Sequence, residues 1–221
     1  AGELDATFGN NGIVTTAIGT GSDDITSLTV QSDGKILLAG VSSNVTGGSE
    51  FALVRYNSDG SLDETFSSDG RLTTAVGGFN DAGNSVIVQA DGKILVAGVS
   101  NANGVSEFAV VRYNSDGGLD STFSGDGIAK TSVGMSDSGN SITLQADGKI
   151  LMTGISSNTN PPNSDFVLVR FNTDGSLDTT FSNDGKISTA VGTEDSSSYS
   201  VFTQDDGKIL VAGNAYVNGV S

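Results

Sequence analysis

The residues of this chain that could do chemistry are oxygen donors that return in the same order along the sequence. The phrase Asn-Ser-Asp-Gly-Ser-Leu-Asp occupies residues 57–63, and closely related phrases occupy residues 114–120 and 172–178. Oxygen ligands at alternate residues, a glycine at the bend and a further carboxylate are what Ca²⁺ requires. Each phrase is therefore a candidate calcium loop, with these candidate ligands: Asn57, Asp59 and Asp63; Asn114, Asp116 and Asp120; Asn172, Asp174 and Asp178.

The same residues have a second interpretation, as turn residues that need no cofactor. Arginine (Arg55, Arg112 or Arg170) stands where calcium loops of this spacing carry their first aspartate. A fixed cation in that place could neutralise the carboxylates and make a metal redundant. Asn and Asp side chains also stabilise turns by bonding to their own backbone. The sequence favours the turn and leaves calcium as the alternative.

Each of these arginines ends an apolar run, as in Phe51, Leu53 and Arg55, which alternate onto one strand face. An isolated buried charge is very costly, so each guanidinium needs a carboxylate. We predict bidentate structural ion pairs that tie the strand to the following turn: Arg55–Asp63, Arg112–Asp120 and Arg170–Asp178. The alternative is a ring of arginines that grips an anionic ligand. The acids that open these strands are expected to be exposed or to form weak rim pairs with a lysine: Glu50, Glu107 and Asp165, with Lys35, Lys93 and Lys149.

Catalytic chemistry has little support in the composition. The chain has no His and no Cys, which excludes Ser-His triads, thiolate nucleophiles and the usual zinc sites. A pair of carboxylates can hydrolyse glycosides, but every candidate Asp belongs to a repeated phrase, and a catalytic pair should break that symmetry. We expect the chain not to be an enzyme, and keep a carboxylate-based hydrolase as a third hypothesis.

The charge balance restricts the partners. Ten Lys and Arg against 26 Asp and Glu give a net charge of −16, which repels nucleic acid and anionic lipid. No apolar window approaches the length of a membrane span. The first residues are already repeat sequence, so no signal peptide is expected within the chain.

Two longer phrases show that the chain is an array of repeats. QSDGKILLAG begins at Gln31 and returns in close variants at Gln89, Gln145 and Gln204. SEFALVRYNSDGSLDETF begins at Ser49 and returns at Ser106 and Ser164. The period of 57 or 58 residues predicts one repeat domain over 1–221, with repeats at 4–61, 62–118, 119–176 and 177–221.

Each repeat contains four strand-like runs and no helical periodicity. In the second repeat the runs are residues 71–76, 85–89, 93–99 and 108–113, with an Asp-Gly hairpin turn between the second and third. The ILVAG-type runs are apolar on consecutive residues, which is typical of strands covered on both faces. We predict an all-β fold, a β-propeller-like repeat of four-stranded antiparallel blades. An open array of β-sandwich-like repeats is the alternative.

The two phrases resemble the delta-60 repeat family of bacteria, whose hallmark is DGKILvaG followed by fALvRyNxDGsLDxTF. The resemblance covers essentially the whole chain, with both phrases in register. It implies a β-propeller in large secreted or surface proteins, without an established activity and without catalytic residues to transfer.

The fourth repeat lacks its last FALVRYN-like strand. We expect the chain to be a segment of a longer repeat protein. The alternative is self-association through strand edges, in which a neighbouring subunit donates the strand. Residues 13–18 could serve as an outer strand.

We therefore expect a non-enzymatic, extracellular or cell-surface module, an adhesive scaffold of a bacterial surface or filament protein with protein partners. Binding should use the variable loops at residues 19–24, 42–49, 100–106 and 156–164. The alternative is a lectin-like propeller that binds glycans or another small ligand. The aromatic residues outside the repeated phrases that it could use include Phe79, Tyr199 and Tyr216.

Overall fold

The computed structural model describes residues 2–102, 104–157 and 163–217. Within these ranges every regular element is a β-strand. The strands form successive antiparallel meanders in chain order, which we call blades. The prediction of an all-β, propeller-like repeat of four-stranded antiparallel blades is confirmed. No helix in this part of the chain is long and apolar enough to cross a lipid bilayer.

The strands of each blade are hydrogen-bonded in sequence order. Blade 1 contains β1 (Asp23–Val30), β2 (Ile36–Ser43), β3 (Ser49–Tyr56) and β4 (Arg71–Thr74). Blade 2 contains β5 (Ala82–Val88), β6 (Ile94–Ala102), β7 (Val105–Tyr113) and β8 (Ile128–Thr131). Blade 3 contains β9 (Ser136–Leu144), β10 (Ile150–Ser157), β11 (Ser164–Phe171) and β12 (Lys186–Thr189). Blade 4 contains, among the described residues, β13 (Ser196–Thr203) and β14 (Ile209–Ala215).

The strand predicted at residues 71–76 lies in a different blade from the one expected. It forms β4, which pairs with β3 through Leu53 and Leu72, and so completes blade 1 rather than leading the next four strands. The reason is the long turn at residues 57–70, which folds back on the end of β3. There the Arg55 amide donates to the Gly70 carbonyl (2.9 Å), and the Asp63 amide donates to the Arg55 carbonyl (3.0 Å).

The segment at residues 13–18 does not form the outer strand that the sequence allowed. Ile13 makes isolated bridges, and no strand is assigned over residues 14–18. An outer strand must pair its backbone with a third strand. The third strands β3, β7 and β11 already pair with β4, β8 and β12, so none of them is available to this segment. The segment still contacts blade 1, because the Tyr56 hydroxyl lies 2.6 Å from Thr16 Oγ1.

Both faces of the second strand in a central blade are covered, as the consecutive apolar residues predict. In β6, Ile94 and Val96 pack against blade 1, Leu95 and Ala97 pack against blade 3, and all are fully buried. The apolar cores of this protein therefore lie between blades, and each junction holds residues from two repeats.

In blades 2 and 3 the glycine that ends the DGKILxxG phrase allows a phenylalanine of the preceding blade to lie over the backbone. A Cβ on Gly98 would overlap the carbonyl oxygen of Ala82 and lie 2.9 Å from Cζ of Phe51. Gly154 meets Phe108 in the same way. Any larger residue would push neighbouring blades apart.

Antiparallel pairing places two kinds of connection at opposite edges of the blades. The turn side carries the repeated phrases, namely the DGK turns and the long turns at residues 57–70, 114–127 and 172–185. The loop side carries the hairpins between second and third strands and the segments that lead into the next blade, such as residues 75–81.

We predict that Gly98→Ala lowers the free energy of unfolding by about 2–3 kcal/mol, because the methyl group overpacks a filled blade junction. Urea unfolding followed by circular dichroism measures the change. The control is Gly118→Ser, since the other repeats hold Ser61 and Ser176 at this position. A Gly98→Ala protein as stable as this control would contradict the close packing at the junction.

Candidate functional site

The structure brings each arginine to the aspartate with which the sequence pairs it. Nε lies 2.7 Å from Oδ2 in the pairs Arg55–Asp63, Arg112–Asp120 and Arg170–Asp178. The aspartates are buried, as are Arg55 and Arg112. Each contact joins one nitrogen to one oxygen and is not the bidentate pair that we expected. A second contact is not formed because the other carboxylate oxygen and the other guanidinium nitrogens bond to different groups.

A lysine and a threonine complete each cluster. Lys35 Nζ lies 2.8 Å from the same Asp63 Oδ2, and Thr65 donates to Oδ1 through its hydroxyl (2.6 Å) and its amide (3.1 Å). The same arrangement recurs around Asp120 and Asp178. The expected rim pairs of these lysines are therefore wrong: Glu107 instead accepts from Ser132, and Asp165 from Ser188. The DGK turn points its lysine toward the long turn, where a buried carboxylate is the stronger partner.

These contacts fix the protonation state of the aspartates. Burial of Asp63 opposes ionisation, but hydrogen bonds from Lys35, Thr65 and Arg55 outweigh it and hold the pKa of the carboxyl well below its usual range. The balance is the same at Asp120, where burial is again overcome by Lys93, Thr122 and Arg112. At Asp178 the hydrogen bond from Lys149 is the largest contribution to a lowered pKa. All three carboxylates are ionised at neutral pH.

The guanidinium also joins one blade to the next. Arg55 Nη1 donates to the carbonyl of Ser115 (2.6 Å), and Arg112 Nη1 donates to the carbonyl of Thr173 (2.6 Å). Each guanidinium lies over a phenylalanine ring of its own long turn, at 4.5 Å from Phe66 in the first case. That ring packs against Gly117 of the next blade, whose φ of +94° and lack of a side chain make room for it. The cluster therefore has a structural role at the blade junction.

Arg170 makes a different contact. Arg170 retains its hydrogen bond to Asp178, and its guanidinium carbon lies 4.3 Å from the ring centre of Phe181. Its Nη1 atom, however, donates to Gln145 Oε1 at 3.3 Å. The glutamine belongs to the same blade, whereas Arg55 and Arg112 reach the following blade. The arginine of a repeat can therefore donate either to the glutamine of its own blade or to a backbone carbonyl of the next blade.

The candidate calcium ligands do not converge on one point. Asp59 Oδ1 accepts from the amide (2.9 Å) and the hydroxyl (2.7 Å) of Ser61, and Asp116 and Asp174 make the equivalent turns. Asn57 directs its amide nitrogen inward, to Ser61 Oγ and the carbonyl of Leu62, as Asn172 does to Ser176 and Leu177. Asn114 likewise donates to Leu119, and its oxygen accepts from Lys93. Across residues 2–102, 104–157 and 163–217, no group of three or more Asp, Glu, His or Cys side chains could hold a metal ion.

A second set of aspartates, of which Asp81 and Asp137 are buried, was missed from the sequence. Asp81 Oδ2 accepts from the amides of Val76 (2.8 Å) and Gly77 (2.9 Å), and its Oδ1 accepts from the amide of Asn101 (3.0 Å). Asp23 and Asp137 bind the equivalent amides in their repeats. These residues hold the loop-side segment that enters each blade. These aspartates recur at the repeat period, and this recurrence is the signal that the sequence contains. Their role in holding the segments is visible only from the hydrogen bonds.

The first strands of neighbouring blades are also linked by polar side chains that the sequence did not single out. Each first strand has a bulge, and the bulged residue donates to the next blade: Thr26 to the carbonyl of Gly83, Asn84 to Gly139, and Asn140 to Ser198. The distances are 2.7, 2.8 and 2.9 Å. Tyr199 occupies this position in blade 4 and is 56% exposed. The bulges therefore fix the spacing of the first strands.

The variable loops expected to bind partners lie together on the loop side. Phe79 (57% exposed) and Met135 (62% exposed) are in the segments that enter blades 2 and 3. Val45 and Val105 are exposed in the adjacent hairpins. Of the loop at residues 156–164, residues 158–162, including Pro161 and Pro162, are outside the described part, as is residue 103. The loop side thus presents apolar side chains, and the turn side presents the ion-paired clusters.

Repeated antiparallel blades with apolar cores between them, and an ionic cluster in each of the first three repeats, define a β-propeller repeat protein. The family model described as "Domain of unknown function (DUF5122) beta-propeller" matches residues 31–66, 89–123, 145–181 and 204–221, more than half of the chain. The chain belongs to this family. Each of the first three matched segments runs from the DGK turn to the end of the LDxTF phrase.

Comparison with solved structures gives a fucose lectin from Kordia zhangzhouensis in complex with methyl-fucoside. The two chains are 14% identical, the match covers 75% of this chain and 97% of the lectin, and the TM-score is 0.44. A similarity at this level carries no argument about this protein. No curated protein matches the chain.

We predict that Asp120→Asn lowers the free energy of unfolding by about 3 kcal/mol, because it leaves the buried Arg112 guanidinium without its counter-charge. Urea unfolding at pH 7 measures the change. Asp116→Asn is the matched control, since it lies in the same long turn but is exposed, and asparagine forms the same turn. Equal stability of the two variants would contradict a structural role for the cluster.

The same variant has a defined dependence on pH. A carboxyl whose pKa is lower in the folded chain stabilises it above the unfolded pKa of about 4, and this contribution is lost as the pH falls below that value. The native chain should therefore lose more stability between pH 5 and pH 2 than Asp120→Asn does.

Proposed function

We propose that the chain is a non-enzymatic extracellular module, an adhesive scaffold of a bacterial surface or filament protein. One observation supports this most directly: the charged residues that return in the first three repeats are engaged with one another, and the first two arginines also donate to the next blade. They maintain the frame. The residues that differ between repeats, such as Phe79 and Met135, are exposed on the opposite side, where a partner can reach them.

The family supports the same proposal. The matched segments contain the two phrases that resemble the delta-60 repeat, so we infer that both describe one repeat. The description of the family gives an architecture and no activity. The location outside the cell rests on the delta-60 resemblance and on the acidic, cysteine-free composition.

The state of the carboxylates supports the absence of catalysis. A general acid must hold a proton near neutral pH, whereas Asp63, Asp120 and Asp178 have a lowered pKa and remain ionised. Their oxygens are also occupied by lysine, arginine and threonine donors. A carboxylate-based hydrolase would need other residues.

The lectin-like alternative rests on two aromatic residues in blade 4. Tyr199 is 56% exposed and Tyr216 is 39% exposed, and sugars stack on such rings. We predict that Tyr199→Ala and Tyr216→Ala give the same pattern as the native chain on a glycan array, because a scaffold does not depend on these rings. A glycan bound by the native chain and lost in either variant would support the lectin and contradict the proposal.

We also propose that the protein needs no calcium, because the turn aspartates are satisfied by their own backbone and by serine. The mass of the native particle and its melting temperature should be unchanged when EDTA replaces Ca²⁺. Light scattering and calorimetry measure both. A fall in either value on chelation would restore the calcium interpretation. A particle heavier than 22.3 kDa would support association through the edge of β14 that has no partner strand among the described residues, and a monomer would remove that proposal.

A further inference from the structure

The outer face of blade 1, which we call the leading face, is apolar and exposed. Leu28 and Val30 are 58% and 61% exposed. The same positions in blade 2 hold Val86 and Val88, which pack into the core between blades 1 and 2. The leading face is therefore a junction surface on which no blade packs within the described part of the chain.

Residues 4–18 already cover one side of the leading face, as the end of a preceding blade would. The Tyr56 hydroxyl lies 2.6 Å from Thr16 Oγ1. At the next junction the Tyr113 hydroxyl lies 2.8 Å from Thr74 Oγ1 of β4. Thr16 thus takes the part that a fourth strand takes between blades 1 and 2.

The backbone gives the same match. The amide of Gly9 donates to the carbonyl of Asp59 (2.8 Å), as the amide of Ser67 donates to that of Asp116 (2.8 Å). Residues 4–18 therefore stand where a long turn and a fourth strand stand at the other junctions. Within the described chain, no second or third strand stands beside them.

The space that those two strands would fill is an apolar groove of about 430 Å³. Its lining includes Phe8, Val14, Ile25, Leu28 and Leu38. At the junction of blades 1 and 2, side chains from the second and third strands of blade 1 fill the core: Leu37, Ala39, Phe51 and Leu53. The groove is therefore shaped for the apolar side chains of another blade.

The opposite face of blade 4, which we call the trailing face, exposes such side chains. Phe202 is 61% exposed and Leu210 is 52% exposed. They hold the positions of Ile87 and Leu95, which pack into the core between blades 2 and 3. Because the leading and trailing faces are both exposed, they do not cover each other within one chain.

A hydrogen bond of the internal junctions can also form between the two faces. Ser27 Oγ accepts from the amide of Val86 in the next blade (3.1 Å), and the two following first strands make the same bond. Ser200 holds the serine position in blade 4, and Leu28 holds the amide position in blade 1. A blade 4 that packs on a blade 1 would pair them.

Asp5 presents a negative charge beside the leading face. It accepts from the amide (2.9 Å) and the hydroxyl (2.6 Å) of Thr7, as Asp63 accepts from Thr65. The hydrogen bonds from Thr7 lower the pKa of the exposed Asp5 carboxyl, which is ionised at neutral pH. Unlike Asp63, it forms no ion pair with Lys or Arg in the described part of the chain.

Lys208 presents the matching positive charge on blade 4. It belongs to the fourth DGK phrase, its side chain is 75% exposed, and it contacts the exposed Asp206. The lysines of the other three phrases each pair with the buried aspartate of the following long turn. Asp5 is that aspartate in the first LDxTF phrase, so the two charges have the relation that the internal clusters require.

The leading face differs from the internal junctions at Ile25. Blade 2 has Gly83 there, and a Cβ on Gly83 would lie 3.4 Å from the ring of Phe51 in the third strand of blade 1. Blade 4 has Ser198 there, so the position admits a side chain. A partner that brings only two strands has no such ring, and blade 4 has two strands among its described residues. Ile25 fills the space that the ring would take.

We propose that the chain associates head to tail, with the trailing face of blade 4 in one copy packed on the leading face of blade 1 in the next, and with Lys208 of the first copy paired to Asp5 of the second. The proposal rests on the scaffold role above and names its partner, a second copy. Because the two faces differ, the contact is heterologous and can continue from copy to copy.

Sedimentation velocity tests this association in about 0.15 M NaCl, which screens the repulsion between chains of charge −16. The mean mass should rise above 22.3 kDa as the protein concentration increases from about 1 μM to about 1 mM. Leu28→Lys and Leu210→Lys should each remain monomeric, because each places an unpaired charge in the contact. An equimolar mixture should form dimers and nothing larger, since each variant keeps the face that the other has lost.

Val45→Lys is the matched control, since Val45 is 80% exposed on the loop side, and this variant should assemble as the native chain does. Asp5→Lys should weaken the association about threefold or more, as expected when a partly exposed ion pair becomes a repulsion. Lys208→Asp on the same chain should restore it, because the two reversed charges then meet across the contact.

The proposal is overturned if the native chain stays monomeric at the highest concentration, if Leu28→Lys assembles normally, or if the mixed variants do not pair. Association through the edge of β14 would persist in Leu28→Lys, so the two kinds of self-association are distinguished. These results leave the glycan-array and chelation tests untouched. Failure of the head-to-tail contact is therefore distinguishable from failure of the scaffold.

Discussion

The guanidinium of Arg55 lies between two blades, and its contacts explain why the same polar residues return in each repeat. It shares a buried carboxylate with Lys35, covers the ring of Phe66 and donates to a backbone carbonyl of the next blade. Both faces of a central blade are apolar and buried, so a charge on such a face is tolerated only where its partners are fixed. One cluster therefore holds a strand, a long turn and a neighbouring blade together.

The residues that stabilise the fold and the residues that are exposed for binding a partner lie on opposite sides of the blades. The repeated phrases lie on the turn side and maintain the frame, so their side chains have little freedom to vary. The loop side carries segments held mainly by Asp81 and its counterparts, and the exposed side chains of these segments, such as Phe79, can change without disturbing a junction.

The candidate site was predictable where one strand and one adjacent turn supplied both partners. The alternation of Phe51, Leu53 and Arg55 placed the charge on the buried face, and the LDxTF phrase that follows the strand supplied Asp63. The contacts of Lys35, the carbonyl of Ser115 and the donor role of Asn84 were not predicted. Each of these joins residues far apart in the chain, 28, 60 and 55 positions from their partners, and no local pattern encodes such distances.

The repeat, the strands and the need of each buried arginine for a carboxylate could be derived from the residues alone, because they follow from local periodicity and from the cost of burying charge. Three outcomes became visible only in the folded chain: β4 closes the preceding blade, lysine joins the ion pair, and the Arg55 guanidinium donates to the next blade. Those outcomes depend on how neighbouring blades compete for the same donors. That competition exists only once the blades have packed.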